Sequence, residues 1–290
     1  METSTILTSL AVRWRYAGDL LQGRWVALLD IIGDDPMRLW VLGTTAIIFF
    51  VYWFYAAIFM LMDITNRPRF LRKYKIQPEQ NDPLDLSRLW AAVKVVVFNL
   101  TVVNLITIWL LFELVLRHHN SQNIRELPSF GRIVRDFVAF VVLEEIMFYY
   151  VHRLLHHKAI YKYVHKKHHE WTAPHAAMTL YAHPIEHVVA NLLPVGVSIS
   201  ILGAHVLFAW VTISLAVINS ITDHTGYSFP WSGVSVRFHD YHHAKFNYNY
   251  GVTGWLDKLH GTYRPPVHGQ KQQQQVKSKH KAGKSKTKSK

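Results

Sequence analysis

Six histidines fall within the eighteen residues from His152 to His169, HRLLHHKAIYKYVHKKHH. Two spacings stand out: His152 and His156 are four apart, and His165 is followed by His168 and His169 at three and four. The second spacing, HxxHH, returns about seventy residues later as His239, His242 and His243. On a helix each set faces one way. Neutral imidazole is a ligand for zinc, copper, iron and nickel, and it dominates metal sites that lack thiolate. Eight histidines in three groups are too many for one ion, since zinc-type sites use three or four protein ligands, and about right for two. His168 and His169 project about 100° apart on a helix, as do His242 and His243. One member of each pair then serves one ion and its neighbour the other, or the neighbour supports a ligand from behind; the spacing leaves both open. His156 is preferred to His157 because it shares a face with His152. A basic, half-exposed surface helix would account for one HxxxH, but not for three groups.

Composition says where such a site resides. Half of the 290 residues are apolar and only 18% are charged, low for a water-soluble chain of this size. There is no cysteine, which excludes disulfides, iron–sulfur clusters, thiolate haem and cysteine-ligated zinc, and confines any metal to nitrogen and oxygen donors. The formal charge is +13, but eight of the lysines lie between Lys271 and Lys290 in a Gln-, Lys- and Ser-rich tail. Residues 266–290 therefore read as a disordered tail whose partner is an anionic membrane surface. No nucleic-acid partner is expected.

The elements that must carry the histidines are apolar helices. Residues 1–38 lack the pattern of a secretory signal, and Leu20 to Ile32 reads as a short, interrupted, interfacial segment. Leu39 to Met62 is 24 residues without a charge, about 36 Å as a helix against a hydrocarbon core of about 30 Å. A second span covers Trp90 to Leu116, where Asn99, Asn104 and Thr107 mark a side packed on protein. His118 and His119 end it as interfacial residues. Ile133 to Val151 is apolar but carries Arg135, Asp136, Glu144 and Glu145, and it runs into His152. Glu145 lies seven residues before His152, where it either orients a ligating imidazole through the other ring nitrogen or faces solvent as a helix-end charge. Val188 to Thr222 has 35 residues without a charge, about 52 Å as one helix and too long for one crossing. A bend near Gly203-Ala204-His205 divides it into a hairpin, which returns the chain to the face it entered from and leaves His205 structural at the far turn. Only then do His152 to His187 and His224 to His243 meet. The expected fold is an all-α integral membrane protein with about four transmembrane helices in two hairpins and a helical histidine cap holding a two-metal site. Its expected divisions are 1–38, 39–132, 133–265 and 266–290.

Two nitrogen-held metals where apolar helices emerge suit oxidation of a lipid, whose unactivated C–H bonds demand a redox-active metal such as iron. Neither a GxGxxG nor a Walker pattern is present, so electrons are expected from a separate partner. The motifs HRLLHH, HKKHHEWTAP, YAHPIEH, DHTGY and FHDYHHAKFNYNYG, in that order across roughly residues 130–265, resemble the fatty acid hydroxylase and sterol desaturase superfamily of membrane di-iron oxygenases. Within it the chain looks most like the fatty acid hydroxylase domain-containing protein 2 group, with 4-methylsterol oxidases as near relatives. The resemblance implies a multi-pass enzyme of the endoplasmic reticulum membrane with its histidines and C-terminal tail on the cytosolic side. It implies two Fe(II) ions, dioxygen, a sterol or fatty acyl substrate, and electrons from NAD(P)H through a reductase and cytochrome b5. By motif position the ligands are His152 and His156; His165, His168 and His169; and His239, His242 and His243, with His224 a further ligand implied by the resemblance alone. His157, His183 and His187 are possible additions. Methylsterol oxidases carry an acid where this chain has Ser228, and nothing here resembles the haem domain often fused to fatty acid 2-hydroxylases; the latter departure leaves a sterol slightly ahead. The same scaffold also supports fatty acid or sphingolipid hydroxylation, or desaturation. A histidine-rich metal transporter would carry its ligands within the spans rather than beside them.

Overall fold

A computed structural model gives the architecture. It describes residues 2–81, 84–119, 123–232 and 235–265, with side chains from residue 17 onward. The tail expected to be disordered, 266–290, lies outside the described residues. Apart from a single antiparallel bridge between Lys75 and Tyr227, the described residues contain no β structure.

Eight helices carry the argument: α1 (Glu2–Ile32), α2 (Arg38–Thr65), α3 (Leu86–Leu116), α4 (Phe130–Leu155), α5 (Pro184–Ile201), α6 (Val206–His224), α7 (Ser235–Lys245) and α8 (Trp255–Leu259). The four helices α2, α3, α5 and α6 are long and apolar enough to cross a bilayer. Their outer faces carry exposed Phe50, Phe54, Leu61, Trp109 and Leu114, apolar area that only lipid solvates without cost. α2 packs along α6 and α4 along α5.

Leu20 to Ile32 is not the short, interrupted segment expected. It is the end of the continuous helix α1, because it has an inner face to bury: Trp25 and Leu29 join the core, and Trp25 meets His205 and Trp210 edge-on. The hairpin turn falls where the sequence places it. α5 ends at Ile201, Gly203 takes φ 51°, and His205 caps α6 by accepting from the Leu207 amide at 3.1 Å.

The spans depart from regular α geometry at Arg38–Gly43, Asn99–Val103, Phe112–Leu116 and His187–Leu192, which are π-helical. Two of these stretches begin at buried polar residues that cross-link helices. Asn99 donates to the carbonyls of Leu180 and Ala182, both at 3.1 Å. His187 meets the side-chain oxygen of Asn104 at 2.8 Å. The polar side of α3 therefore faces protein.

The loop after α2 is stitched to the turn after α6. Ile76 donates to the Gly226 carbonyl at 2.9 Å, and the Ser228 amide donates to Tyr74 at 2.9 Å. Buried Asp63 receives both Lys75 (3.1 Å) and the Tyr227 hydroxyl (2.8 Å). Gly226 is required there: its φ is +73°, and a Cβ would lie 2.8 Å from the Pro174 carbonyl oxygen.

Candidate metal centre

Nine histidines converge where α4, α6 and α7 end against the segment 156–175. Their ligand-capable nitrogens form two groups, each with all its atoms within 4.8 Å of one another: His152, His156, His165, His169 and His242 in one, and His168, His224, His239 and His243 in the other. The two HxxHH repeats contribute in opposite senses. In the first, the outer pair His165 and His169 enters the five-histidine group and His168 the four-histidine group. In the second, the outer pair His239 and His243 enters the four-histidine group and His242 the five-histidine group. Each repeat is thus split rather than facing one site as a unit. His165–Glu170 is a 3₁₀ turn and not an α-helix, whereas α7 is a regular helix.

The Nε2 atoms point inward. In the first group the separations from His156 are 2.9 Å to His165, 3.2 Å to His169 and 3.2 Å to His242, and His169 is 3.0 Å from His165. In the second, His224 lies 2.9 Å from His239 and 3.3 Å from His168, and His243 lies 3.2 Å from His239. Mutually facing imidazole nitrogens cannot all find donors among themselves, so a cation is the partner that satisfies them together.

The outward nitrogens fix the tautomer. Nδ1–H of His152 donates to the Tyr250 carbonyl, that of His242 to Tyr248, and that of His224 to Ser220, each at 2.7 Å. This leaves the Nε2 lone pairs aimed inward, as ligation requires. Burial keeps the rings neutral. It pushes His152 down to about 4, and drives His165, His168, His169, His239, His242 and His243 well below the usual imidazole range, with the other histidines adding to the effect. The donor set is all nitrogen and uncharged, which fits iron, zinc or copper and does not fit magnesium or calcium.

The remaining candidates fall elsewhere. His157 is exposed, its Nδ1 accepting from the Ala159 amide at 3.4 Å. It belongs to neither group because its ring points away from the face shared by His152 and His156. His183 caps α5, accepting from Ile185 at 3.2 Å. His187 is buried against Asn104. Glu145 fulfils neither expectation. It is fully buried, and one oxygen accepts from the amides of Val252 and Thr253, both at 2.9 Å. Two helical turns separate it from His152, too far for direct contact, and it acts on the loop that carries the Tyr250 carbonyl.

The carboxylate that does touch a cluster imidazole is Glu186, whose Oε1 lies 2.8 Å from Nδ1 of His165. The approach is close but not aligned as a hydrogen bond. Sequence reasoning passed over Glu186 although it sits inside YAHPIEH; an acid opening a long apolar run is the signal that would have found it. Asp257 was likewise missed. It accepts from the Tyr250 and Gly251 amides at 2.9 and 2.8 Å, which sets the same loop from the other side.

A cavity of about 600 Å³ adjoins the centre. Its wall runs along α6 from Thr212 to His224 and along α4 from Phe137 to Phe148, a length of about 18 Å by helix rise. Of the nine clustered histidines only His224 and His239, both from the four-histidine group, reach it. Phe137, Val141 and Leu215 are at once part of its wall and exposed on the outside of the bundle.

Comparison with known proteins agrees with this geometry. The profile of the fatty acid hydroxylase family matches residues 137–262. The chain is 40% identical to fatty acid hydroxylase domain-containing protein 2 of Macaca fascicularis over 249 residues, covering 86% of this chain and 74% of that protein. It is 35% identical to a fatty acid hydroxylase of Mycosarcoma maydis over 82% of this chain and 60% of that protein. It is 32% identical to methylsterol monooxygenase 1 of Gallus gallus over 67% of each. No solved structure matches the chain. With its histidine groups, its apolar spans and relatives of this identity and coverage, the chain belongs to the fatty acid hydroxylase family.

Proposed function

We propose that this protein is a membrane-bound lipid oxygenase whose nine histidines hold two iron ions, His152, His156, His165, His169 and His242 on one and His168, His224, His239 and His243 on the other. The observation that carries the reading is the apolar cavity that ends on His224 and His239. When bound, iron supplies the oxygen activation needed to attack an unactivated C–H bond, which no side chain here provides. The protein supplies the rest. Carbonyls of Tyr250, Tyr248 and Ser220 hold three imidazoles in their ligating tautomer. Helices α2 to α6 exclude water from the place where the substrate lies. The five-histidine group stands behind, and the four-histidine group, with one protein ligand fewer, faces the lipid.

A sterol is the substrate the cavity favours. The cavity of about 600 Å³ is lined by all of α2 to α6, a broad space that suits a fused-ring lipid and not only a single methylene chain. A methylsterol monooxygenase among the relatives points the same way. Electrons come from a separate donor of the cytochrome b5 type, and the histidine face lies on the cytosolic side of the endoplasmic reticulum membrane. The test is to purify the protein in detergent, load Fe(II), supply dioxygen, reductant and a 4-methylsterol, and measure iron per chain and oxidised sterol by mass spectrometry. Two irons per chain and an oxidised methyl product are expected from the wild type, with both reduced in His168→Ala and His242→Ala. Unchanged iron and turnover in both variants would overturn the assignment.

A further inference from the structure

The cavity wall contributed by α4 is a stripe: Phe137, Phe140, Val141, Glu144 and Phe148 recur at helical spacing and all face the cavity. Four are apolar and one is an acid. Its neighbour Glu145 has no exposure, and one of its oxygens is committed to two backbone amides. Glu144 is the opposite case. It lines the cavity, and among the described residues no hydrogen bond or ion pair reaches its carboxyl group, whose oxygens are not sealed off by protein. The other acid on the wall, Asp223, is already engaged by Asn219 at 3.2 Å through one oxygen, and its second oxygen is sealed from the cavity. A carboxyl group left open in an apolar cavity costs stability unless something in that cavity completes it.

We propose that Glu144 selects the polar end of the substrate, its carboxyl group hydrogen-bonding the hydroxyl of a lipid alcohol held in the cavity. The inference rests on reading the cavity as a lipid site and adds which lipids it prefers. Among the described residues no cation acts on Glu144; burial, and then the adjacent Glu145, push it up to about 7. In its protonated form a carboxyl group both donates and accepts, and an alcohol is the neutral group that does both in return. An ester or ether oxygen only accepts, and a fatty acid carboxylate would add a second negative charge to a site that disfavours the first. Glu144 precedes His152 by eight residues on the same helix, about 12 Å by helix rise, and shares the cavity wall with His224 and His239.

The test is equilibrium binding to the purified, metal-loaded full chain, using radiolabelled cholesterol, its 3-methyl ether and its 3-amino analogue. One hydrogen bond predicts that the wild type binds the alcohol about tenfold more tightly than the ether. Glu144→Gln, which still donates and accepts, is expected to keep that preference, and Glu144→Met to bind both equally. In the wild type, the alcohol and not the ether should protect Glu144 from carbodiimide modification read by mass spectrometry, a measurement that stands even if Glu144→Met does not fold. Equal binding of alcohol and ether by the wild type, or a preference surviving in Glu144→Met, overturns the proposal and leaves the lipid reading in place. Tightest binding of the amine, lost in Glu144→Gln, assigns the carboxylate to a cation and also overturns it. Failure of the metal-loaded wild type to bind any of the three overturns this inference and the sterol reading together.

Discussion

Replacing Glu145 by Leu is expected to damage the metal centre from a distance of two helical turns. The buried carboxylate accepts from Val252 and Thr253 through one oxygen, both at 2.9 Å, and so closes the loop whose Tyr250 carbonyl receives Nδ1–H of His152 at 2.7 Å. The loop is gripped tightly. A Cβ on Gly251 would lie 2.4 Å from Glu145 Oε1 and 3.0 Å from Asp257 Oδ2. Leucine strands two partly buried amides at about 1–3 kcal/mol each, giving a destabilisation of about 2–6 kcal/mol. Glutamine keeps an acceptor but loses the charge, and charge-assisted bonds are about twice as strong as neutral ones, so Glu145→Gln should lose about half as much. Partners behind a ligand typically contribute 10–100-fold to metal affinity, and a loss of about that size is expected at the five-histidine group, with the four-histidine group retained. The assays are denaturant unfolding of the metal-free protein in detergent and competitive metal titration of the folded protein. If Glu145→Leu unfolds with the wild type and both sites titrate normally, the chain of contacts from Glu145 through the loop to His152 does not transmit what the geometry implies. If Gln and Leu are equally harmful, side-chain volume and not the amide contacts is responsible.

Three further outcomes follow from other contacts. His169→Ala leaves four histidines in its group whereas His168→Ala leaves three, so metal counting should show the His168 variant losing its ion at lower chelator concentration. Removing either His187 or Asn104 strands the other buried group and should cost about 1–3 kcal/mol, while the double apolar replacement should cost less than the sum, a coupling readable in a double-mutant cycle of unfolding free energies. Gly43→Ala places a Cβ 2.7 Å from the rigid Trp210 ring and should destabilise by about 1–3 kcal/mol, whereas Gly196→Ala meets only the movable end of Leu111 and should be milder in the same unfolding assay.

The sequence made the spans and the ligand types readable because both are local. Uncharged runs of helical length identify α2, α3 and the α5–α6 hairpin, and repeated HxxHH spacing identifies imidazole clusters. What it left open is what the turns decide. In each repeat the i,i+4 pair stays together and the i+3 histidine departs, the first time within a 3₁₀ turn and the second within a regular helix; which group each pair joins depends on how the two segments are placed against each other, which no spacing encodes. Glu145 was in view, but its partners lie more than a hundred residues away at Val252 and Thr253. No periodicity reaches that far. The cavity was invisible for the same reason, being a space between helices that no single segment encodes.

The contact between His152 and Tyr250 spans 98 residues, and it sets an order in time. At about 5–20 residues per second, ribosomal synthesis separates the two by about 5–20 s. For most of that interval the histidines at the end of α4 exist without the carbonyl that orients His152 and without any histidine of α7. Until then His152, His156, His165 and His169 lack the fifth member of their group, His242. On the two-metal reading, both ligand groups are complete only once the chain has closed through residues 239–250.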